Sequence, residues 1–261
     1  MLLSVIVHVY NNQKALDDQA AQWNKWDLGD DIELIFIDDC SFIPLDISQL
    51  PLKTRCFRIL DDIAWNMPGA KNLGAMQARG DWLFFYDADQ FLDSHGLKKL
   101  VEQLKVLPSN TLYRFNRFKL SDRSVLPVHQ NCQVLKKIDY VEIGGYDEDF
   151  SGAYGHDDSY FERIWTFRNG KITVLDEPFI LDDGELATQN LNRDTHKNRV
   201  LRRKKMRYWH IHSFFLGRAL LSSTYMLKLL IVLGLISDGR PQAQIRFSWT
   251  HSSRDVALDN E

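Results

Sequence analysis

The chain has 261 residues, of which 44% are hydrophobic and 12% aromatic, so it can bury a sizeable core and is neither disordered nor fibrous. Its formal net charge of -3 argues against wholesale binding of nucleic acid, although basic residues gather near the C-terminus. Three widely spaced cysteines, Cys40, Cys56 and Cys132, indicate neither a disulfide framework nor a zinc site and are typical of a reducing cytoplasm. The N-terminus lacks the basic region and cleavage site of a secretory signal, so we expect none.

The first part of the chain alternates apolar strands with an amphipathic helix. Its patterns predict a strand, a helix and a second strand over residues 2–10, 14–26 and 32–37. The crossover of such a βαβ unit is almost always right-handed, which leaves both strand ends on one edge of the sheet. We therefore expect Tyr10, Asp38 and Asp39 to approach one another.

A strand over residues 56–60 leads into a second predicted helix. Asn66 is expected to cap this helix, with Pro68 in its first turn and Gly80 at its end. Small residues predict close packing of the helix on the sheet: Gly69, Ala70, Gly74 and Ala75. Lys71, near the helix N-terminus, is well placed for phosphate, and the alternative is a solvated surface lysine.

The stretch from Gly80 to Asp89 joins a continuous apolar run to two carboxylates. It predicts a fully buried strand of a parallel sheet, with Asp87 and Asp89 at the carboxyl end where ligands bind. On an extended chain the two carboxylates share one face, and they can hold one divalent cation or divide between a cation and a ribose hydroxyl. The alternative is an acidic turn without a ligand.

The next part of the chain is predicted to hold further helices and strands. The helices cover residues 97–107 and 159–169, and the strands cover 112–120, 132–136 and, as the last strand, 171–175. Gly144 and Gly145 predict a tight turn or a close approach of the backbone to a ligand. Asp157 and Asp158 open the later helix, where carboxylates also simply favour the helix dipole.

Four blocks stand in order along the chain: Ser4-Val5-Ile6-Val7 through Tyr10-Asn11; Ile35-Phe36-Ile37-Asp38-Asp39-Cys40-Ser41; Pro68-Gly69-Ala70-Lys71-Asn72-Leu73-Gly74 through Asp87-Ala88-Asp89; and Gly144-Gly145-Tyr146-Asp147-Glu148 followed by His156-Asp157. Together they resemble the inverting family-2 type glycosyltransferases with the GT-A fold, over residues 2–175. The resemblance implies an α/β fold with a Rossmann-like, mostly parallel nucleotide-sugar-binding sheet. We expect a catalytic domain at residues 1–185 and a helical C-terminal extension at 186–261.

The resemblance also implies a donor site. Residues that would bind the nucleotide are Val9, Tyr10, Asn11, Asp38, Asp39, Lys71, Asp87 and Ala88. Asp38 or Asp39 would accept a hydrogen bond from the base, usually uracil. Asp87 would touch the ribose or a metal-bound water, and Asp89 would ligate Mn²⁺ or Mg²⁺. Such a cation neutralises the charge that grows on the β-phosphate as it leaves.

His156 and Asp157 occupy the place of the family's Glu-Asp pair, with Arg163 at the expected position downstream. The resemblance implies that Asp157 is the general base that takes the proton of the acceptor hydroxyl. If the pair is placed one residue later, the base is Asp158. His156, in place of Glu, would affect acceptor binding. One base opposite a departing diphosphate implies a single displacement with inversion.

After residue 175 the family pattern fades. Extra metal ligands could come from Asp182, Asp183, Glu185, His196, His210 and His212, and exposed or structural roles are the alternative. Basic residues crowd positions 193–207, and aromatic and apolar residues follow, interrupted by Arg218 and Lys228. This pattern argues against a spanning helix and fits the surface of an anionic membrane. A helical hairpin packed on the catalytic domain or on a second subunit is the alternative.

These observations predict a metal-dependent hexosyl- or N-acetylhexosaminyltransferase. It would move a sugar from a nucleotide donor, expected to be UDP-linked, to a saccharide or lipid-linked glycan in the synthesis of bacterial surface polysaccharide or lipopolysaccharide. It would be cytoplasmic, with peripheral contact to the inner face of the cytoplasmic membrane. The main alternative is a catalytically inactive GT-A nucleotide-binding module. A nucleotidylyltransferase is disfavoured because the N-terminal region has no Gly-rich phosphate loop with a basic signature.

Overall fold

The computed structural model describes residues 1–26, 28–92, 94–182, 192–215 and 220–252. The strands in these ranges are β1 (Leu3–Val9), β2 (Ile32–Asp38), β3 (Arg55–Ile59), β4 (Trp82–Asp87), β5 (Gln90–Phe91), β6 (Thr111–Lys119), β7 (Val125–Leu126), β8 (Gln133–Lys136), β9 (Lys171–Asp182) and β10 (Trp249–Ser252). The helices are α1 (Gln13–Trp23), α2 (Met67–Gln77), α3 (Ser94–Leu104), α4 (Lys137–Ile143), α5 (Asp157–Phe167), α6 (His196–Phe215) and α7 (Leu220–Val232).

The described strands form one sheet in the order β10-β3-β2-β1-β4-β8-β6-β9-β5, with β7 paired to β6. The central strands β3, β2, β1 and β4 are mutually parallel, and β8 and β10 flank them in the antiparallel direction. The predicted α/β class with a mostly parallel central sheet is confirmed. In the register of β1, His8 lies beside Asp87 and Val9 beside Asp38, so the predicted carboxylates do meet at one edge.

The sheet has an apolar layer on each face. Alternate residues of β1 point to opposite sides, because side chains alternate along a strand. Val5 and Val7 join the core that includes Leu16 of α1, and Ile6 joins the core that includes Leu73 of α2. A Cβ added at Gly74 would collide with Ile6, which confirms the predicted close packing of α2 on the sheet.

Several predicted element boundaries are wrong. Helix α2 ends at Gln77 rather than at Gly80, which instead lies against the backbone of β1. The Asn66 side chain makes no capping hydrogen bond. The helix α4 was not predicted, β9 runs seven residues past its predicted end to Asp182, and β10 follows the strand predicted to be last.

The segment predicted to be an extension contacts the rest of the fold closely. The Asn198 side chain of α6 donates to the carbonyl groups of Phe150, Ala153 and Gly155 at 2.7–2.9 Å. Trp209 packs in a small core with residues of α5, and β10 pairs with β3. Helix α6 thus matches the packed-helix alternative, and the boundary at residues 185 and 186 stays a prediction. No helix in the described ranges is long and apolar enough to cross a membrane.

Lys205 of α6 is the most deeply buried residue of the basic stretch. Its Nζ lies 2.7 Å from a carboxylate oxygen of Asp147 and 2.7 Å from one of Asp149. Removing one member of a buried ion pair leaves an uncompensated charge, which costs about 3–5 kcal/mol.

We therefore expect Lys205→Met to lower the free energy of unfolding in urea by about 3–5 kcal/mol. Arg207→Met, at an exposed position of the same helix, is the matched control and should change it by about 0.5 kcal/mol or less. Equal stability of the two variants would contradict a structural role for Lys205.

Candidate active site

The loop after β2 holds two adjacent carboxylates that have different partners. Asp38 accepts a hydrogen bond from the Ser41 amide at 2.8 Å and forms an ion pair with Arg58. Asp39 is buried and accepts a hydrogen bond from the Asn66 side chain at 3.1 Å. Asp38 therefore fixes the loop, and Asn66, which was expected to cap α2, instead positions Asp39.

The Asp39 carboxyl is easily protonated. Burial, followed by the nearby charges of Asp38 and Asp62, raises its pKa to about 7, against the opposing effect of its hydrogen bond from Asn66. At neutral pH this group exchanges readily between the acid, a donor, and the carboxylate, an acceptor.

The end of β1 shapes the same loop. Asn11 has a left-handed backbone (φ 49°), and its amide and side chain bond to Ser41 and to the amide of Phe42 at 2.9 and 2.7 Å. Tyr10 contacts the Phe42 ring edge-on and reaches Asp62 with its hydroxyl at 3.5 Å. The Val9 side chain lies in the core, and its carbonyl accepts from the Asp39 amide at 2.9 Å.

Asp87 is the last residue of β4, and the chain turns at Ala88 and Asp89. The expectation of an extended chain through Asp89 is therefore wrong, because the strand stops first. Gln19 of α1 holds this turn: its buried amide donates to the carbonyl groups of Ala88 and Gln90 at 3.0 and 2.7 Å.

The turn concentrates negative charge. Burial and the charges of Asp87 and Asp182 raise the pKa of Asp89 to about 7. Beside Asp87, desolvation of the half-buried His8 imidazole lowers its pKa to about 4, so this side chain stays neutral and does not offset the charge. The surrounding residues therefore stabilise the ionised forms of these carboxylates only in part.

These residues fit a hard divalent cation. Mg²⁺ and Mn²⁺ prefer carboxylate oxygens and usually keep waters or substrate phosphate oxygens as further ligands, so two carboxylates suffice. His129 lies close by, with Nδ1 3.9 Å from a carboxylate oxygen of Asp87. The described residues contain no group of three or more side chains able to hold a metal.

Of the predicted extra ligands, Asp182 borders this turn, because it pairs with Gln90 across β5 and β9. Asp182 forms an ion pair with Arg117 at 2.5 Å. His196 and His210 are exposed residues of α6. Asp183 and Glu185 and the side chain of His212 lie outside the described residues.

Lys71 is buried beneath the site, with 1% of its surface exposed, so the alternative of a solvated surface lysine is wrong, and its contact with a nucleotide phosphate stays a prediction. Its Nζ lies 3.3 Å from Asp158, 3.4 Å from the Tyr146 hydroxyl and 4.7 Å from the centre of the Tyr146 ring. Its charge is satisfied by partners from the second half of the chain.

Asp157 and Asp158 begin α5 and differ in their surroundings. Asp158 accepts hydrogen bonds from Tyr146 at 2.8 Å and from Lys71. Asp157 is buried, and burial and the Asp158 charge raise its pKa to about 7, opposed by Lys71. Asp157 therefore has a pKa that suits a base at neutral pH.

His156 forms the corner before α5, with a left-handed backbone (φ 70°). Burial and the positive charges of Arg202, Arg199 and Arg203 lower its pKa. Its imidazole is thus neutral at pH 7 and lies close to basic residues of α6.

The loop before α2 contacts the loop at residues 151–154. The Ser151 hydroxyl donates to the Asn66 side chain at 3.0 Å, and the Gly152 amide donates to the Ala64 carbonyl at 2.7 Å. The Trp65 ring lies 4.5 Å from that of Tyr154. The loop from 151 to 154 therefore borders the Asp39 side of the site.

Sequence reasoning did not find several residues of the site: Gln19, Asp62, Asn66 in its observed role, His129 and Tyr146. Tyr146 follows the paired glycines, and that turn was the one signal of its position. The others are polar residues whose partners lie far away in the chain.

The profile of the family described as "Glycosyl transferase family 2" matches residues 4–205. Comparison with curated proteins gave no match. The fold is similar to a crystal structure of S. aureus TarS 1–349, with a TM-score of 0.57 at 18% identity over 69% of this chain and 59% of that one. The same protein in complex with UDP-GlcNAc gives 0.60 at 14% identity over 81% and 66%. In complex with UDP it gives 0.51 at 18% over 69% and 59%. This chain thus spans about three fifths to two thirds of TarS 1–349, and the GT-A fold is confirmed.

The free energy of unfolding distinguishes the environments of Asp157 and Asp158. A carboxyl whose pKa rises from 3.8 to about 7 on folding destabilises the native state progressively as pH increases through that window, by about 4 kcal/mol at most. Asn cannot ionise. We therefore expect Asp157→Asn to raise the free energy of unfolding at pH 8, with a gain that shrinks towards pH 4.

Asp158→Asn is the matched control, measured by urea unfolding at the same pH values. It deprives the buried Lys71 of its carboxylate, so we expect a loss of about 3 kcal/mol at pH 8. A loss of stability at pH 8 in Asp157→Asn would contradict the assigned environment.

Proposed function

We propose, on the premise that this chain belongs to glycosyl transferase family 2, that it transfers a sugar from a nucleotide-sugar donor to a hydroxyl of a saccharide. The observation that carries the proposal is the arrangement of carboxylates. Asp39 follows β2 and Asp87 ends β4, the two parallel strands on either side of β1, so both lie at the carboxyl edge where such sheets bind ligands. Asp157, whose pKa is raised, begins α5, and the next residue, Asp158, forms an ion pair with Lys71.

The donor is a UDP-sugar in this proposal. Crystal structures of the similar TarS protein contain UDP and UDP-GlcNAc, which favours an N-acetylhexosamine or a related hexose. Asp39 has the chemistry to bind uracil, because its carboxylate can accept the N3 proton. Tyr10 borders the same loop and offers an aromatic ring to the base.

Asp87 and Asp89 would hold Mn²⁺ or Mg²⁺. Such an ion supplies positive charge that stabilises the departing diphosphate. The raised pKa of Asp89 supports this role, since a cation there would relieve the crowding of carboxylates. Gln19 would keep the turn in place while the ion and donor bind.

Asp157 acts as the general base. As the acceptor oxygen forms its bond to the anomeric carbon, the bond from that carbon to the β-phosphate oxygen breaks, and the hydroxyl proton passes to the Asp157 carboxylate. One displacement of this kind inverts the anomeric configuration. Asp158 is less suited to the step because Lys71 and Tyr146 occupy its Oδ1.

We assign the acceptor to a bacterial surface glycan, such as a lipid-linked or lipopolysaccharide saccharide, which the enzyme reaches at the membrane surface. The end of α7 and the residues after it support this. Exposed apolar side chains lie there with the exposed Lys228 among them: Tyr225, Met226, Leu229, Val232, Leu233 and Leu235. Apolar side chains with interspersed basic residues suit an anionic bilayer surface.

The donor is identified by hydrolysis of a panel of UDP-sugars with Mn²⁺. We expect one sugar to be turned over selectively, with loss of turnover on chelation and recovery when Mn²⁺ is restored. Asp89→Ala should abolish the reaction. Asp157→Asn should lower it by about 10²–10⁴-fold while UDP affinity is kept, because only proton transfer is removed.

Asp122→Asn, at an exposed carboxylate of the β6–β7 turn, is the control and should leave turnover unchanged. UDP binding without turnover of any donor, in the presence of candidate saccharide acceptors, would instead identify an inactive nucleotide-binding module.

Membrane contact is tested on vesicles of phosphatidylglycerol by sedimentation. We expect Leu229→Gln/Val232→Gln to weaken binding by at least about tenfold. The two apolar side chains, which would be transferred from water into the bilayer on binding, are then replaced by polar ones. Val106→Gln/Val125→Gln is the matched control, since these valines are as exposed elsewhere on the chain. Equal binding of both double variants would rule out α7 as the contact.

A further inference from the structure

The basic stretch of α6 divides into residues with different surroundings. Lys205 is buried and neutralised by two aspartates. Arg199, Arg202 and Arg203 instead place their charge near His156, whose pKa they lower. Residues three and four apart share one face of a helix, so the three guanidinium groups form a single basic surface, here called the arginine face.

The arginine face is fixed beside the corner that carries the general base. Asn198, one residue before Arg199, donates to the carbonyls of Phe150, Ala153 and Gly155. A Cβ added at Gly155 would lie 3.5 Å from a methyl group of Thr195. This turn of α6 therefore rests directly on the loop that leads into His156 and Asp157.

The described residues supply little negative charge and few hydrogen-bond acceptors to the arginine face. Among the described residues, none of its three arginines takes part in an ion pair within 4.0 Å, and the recorded hydrogen bond of Arg199 goes to the Thr195 hydroxyl. The Nε of Arg202 is buried and has no hydrogen-bond acceptor within that part of the chain. A buried donor without an acceptor is costly, so a ligand that supplies acceptor oxygens and negative charge would stabilise this arrangement.

We propose that the arginine face binds a phosphate group of the acceptor, so that the sugar is transferred to a phosphate-bearing glycan. This rests on the proposed function. Guanidinium groups bind phosphate through paired N–H donors, and three of them match its charge and its several oxygens. The donor diphosphate has a separate place at Asp87 and Asp89, whereas the arginine face adjoins Asp157, which receives the acceptor proton.

The site is tested with inorganic phosphate as the probe, and NMR titration of the His156 imidazole is the readout. In the wild-type protein, phosphate should raise the pKa of His156 saturably by about one unit, because an anion then lies beside it. In Arg202→Gln/Arg203→Gln the starting pKa should already be higher, and phosphate should produce no saturable rise. Arg207→Gln, on the same helix, should behave as the wild type.

A second arm separates the two sources of phosphate. With Mg²⁺ and saturating UDP present, the phosphate response should persist, and the double variant should bind UDP as tightly as the wild type. If UDP abolishes the response, or if the double variant loses UDP affinity tenfold, the arginine face belongs to the donor diphosphate and the proposal is overturned. A wild-type His156 that does not respond to phosphate also overturns it.

The outcome is independent of donor turnover. Failure of every UDP-sugar to react would refute the proposed transfer and leave the His156 titration readable. Acetate at matched ionic strength should not reproduce the response; a saturable response to acetate would point to a carboxylate-bearing acceptor and overturn the assignment to phosphate.

Discussion

The buried charge of Lys71 is the constraint on which the candidate site depends. An ammonium group that is 1% exposed needs compensation, and it receives this from Asp158, the Tyr146 hydroxyl and the faces of two aromatic rings. Lys71 belongs to α2 and Asp158 to α5, so the pair links the parallel half of the fold to the later helix. Asp157 is held in position at the start of α5 because its neighbour is fixed in this way.

The residue after Lys71 extends the link. Asn72 donates to the Tyr146 carbonyl at 3.0 Å and to the Glu148 carboxylate at 2.8 Å, and Glu148 in turn accepts from the amides of Ile245 and Arg246 at 2.9 and 3.2 Å. Two consecutive side chains of α2 therefore organise both the start of α5 and the path of the C-terminal segment. The site and the tail are supported by one continuous polar network, which accounts for the burial of polar groups at moderate cost.

Local patterns made the first four strands predictable, because short apolar or β-branched runs that end at turn-forming or charged residues are typical of buried parallel strands. The position of Lys71 was not predictable, since its partner Asp158 lies 87 residues away and a helix N-terminus alone favours an exposed role. Asn66 has the residue type of a helix cap, yet its Oδ1 accepts from the Ser151 hydroxyl and its Nδ2 donates to Asp39, so its side chain does not cap α2. The strand β10 escaped detection because four residues with mixed polarity carry no periodic signal and gain their strand conformation from pairing with β3.

The pairing of β10 with β3 also has a consequence for synthesis of the chain. Trp249 lies opposite Ile59, so about 190 residues separate partners that form adjacent strands. Until residues 249–252 have emerged from the ribosome, the backbone groups on the outer edge of β3 have no partner strand. Several nascent chains on one messenger RNA would expose this strand edge close to one another. Rapid pairing of β10 with β3, or binding of a chaperone to the edge, would then favour completion of the domain over aggregation.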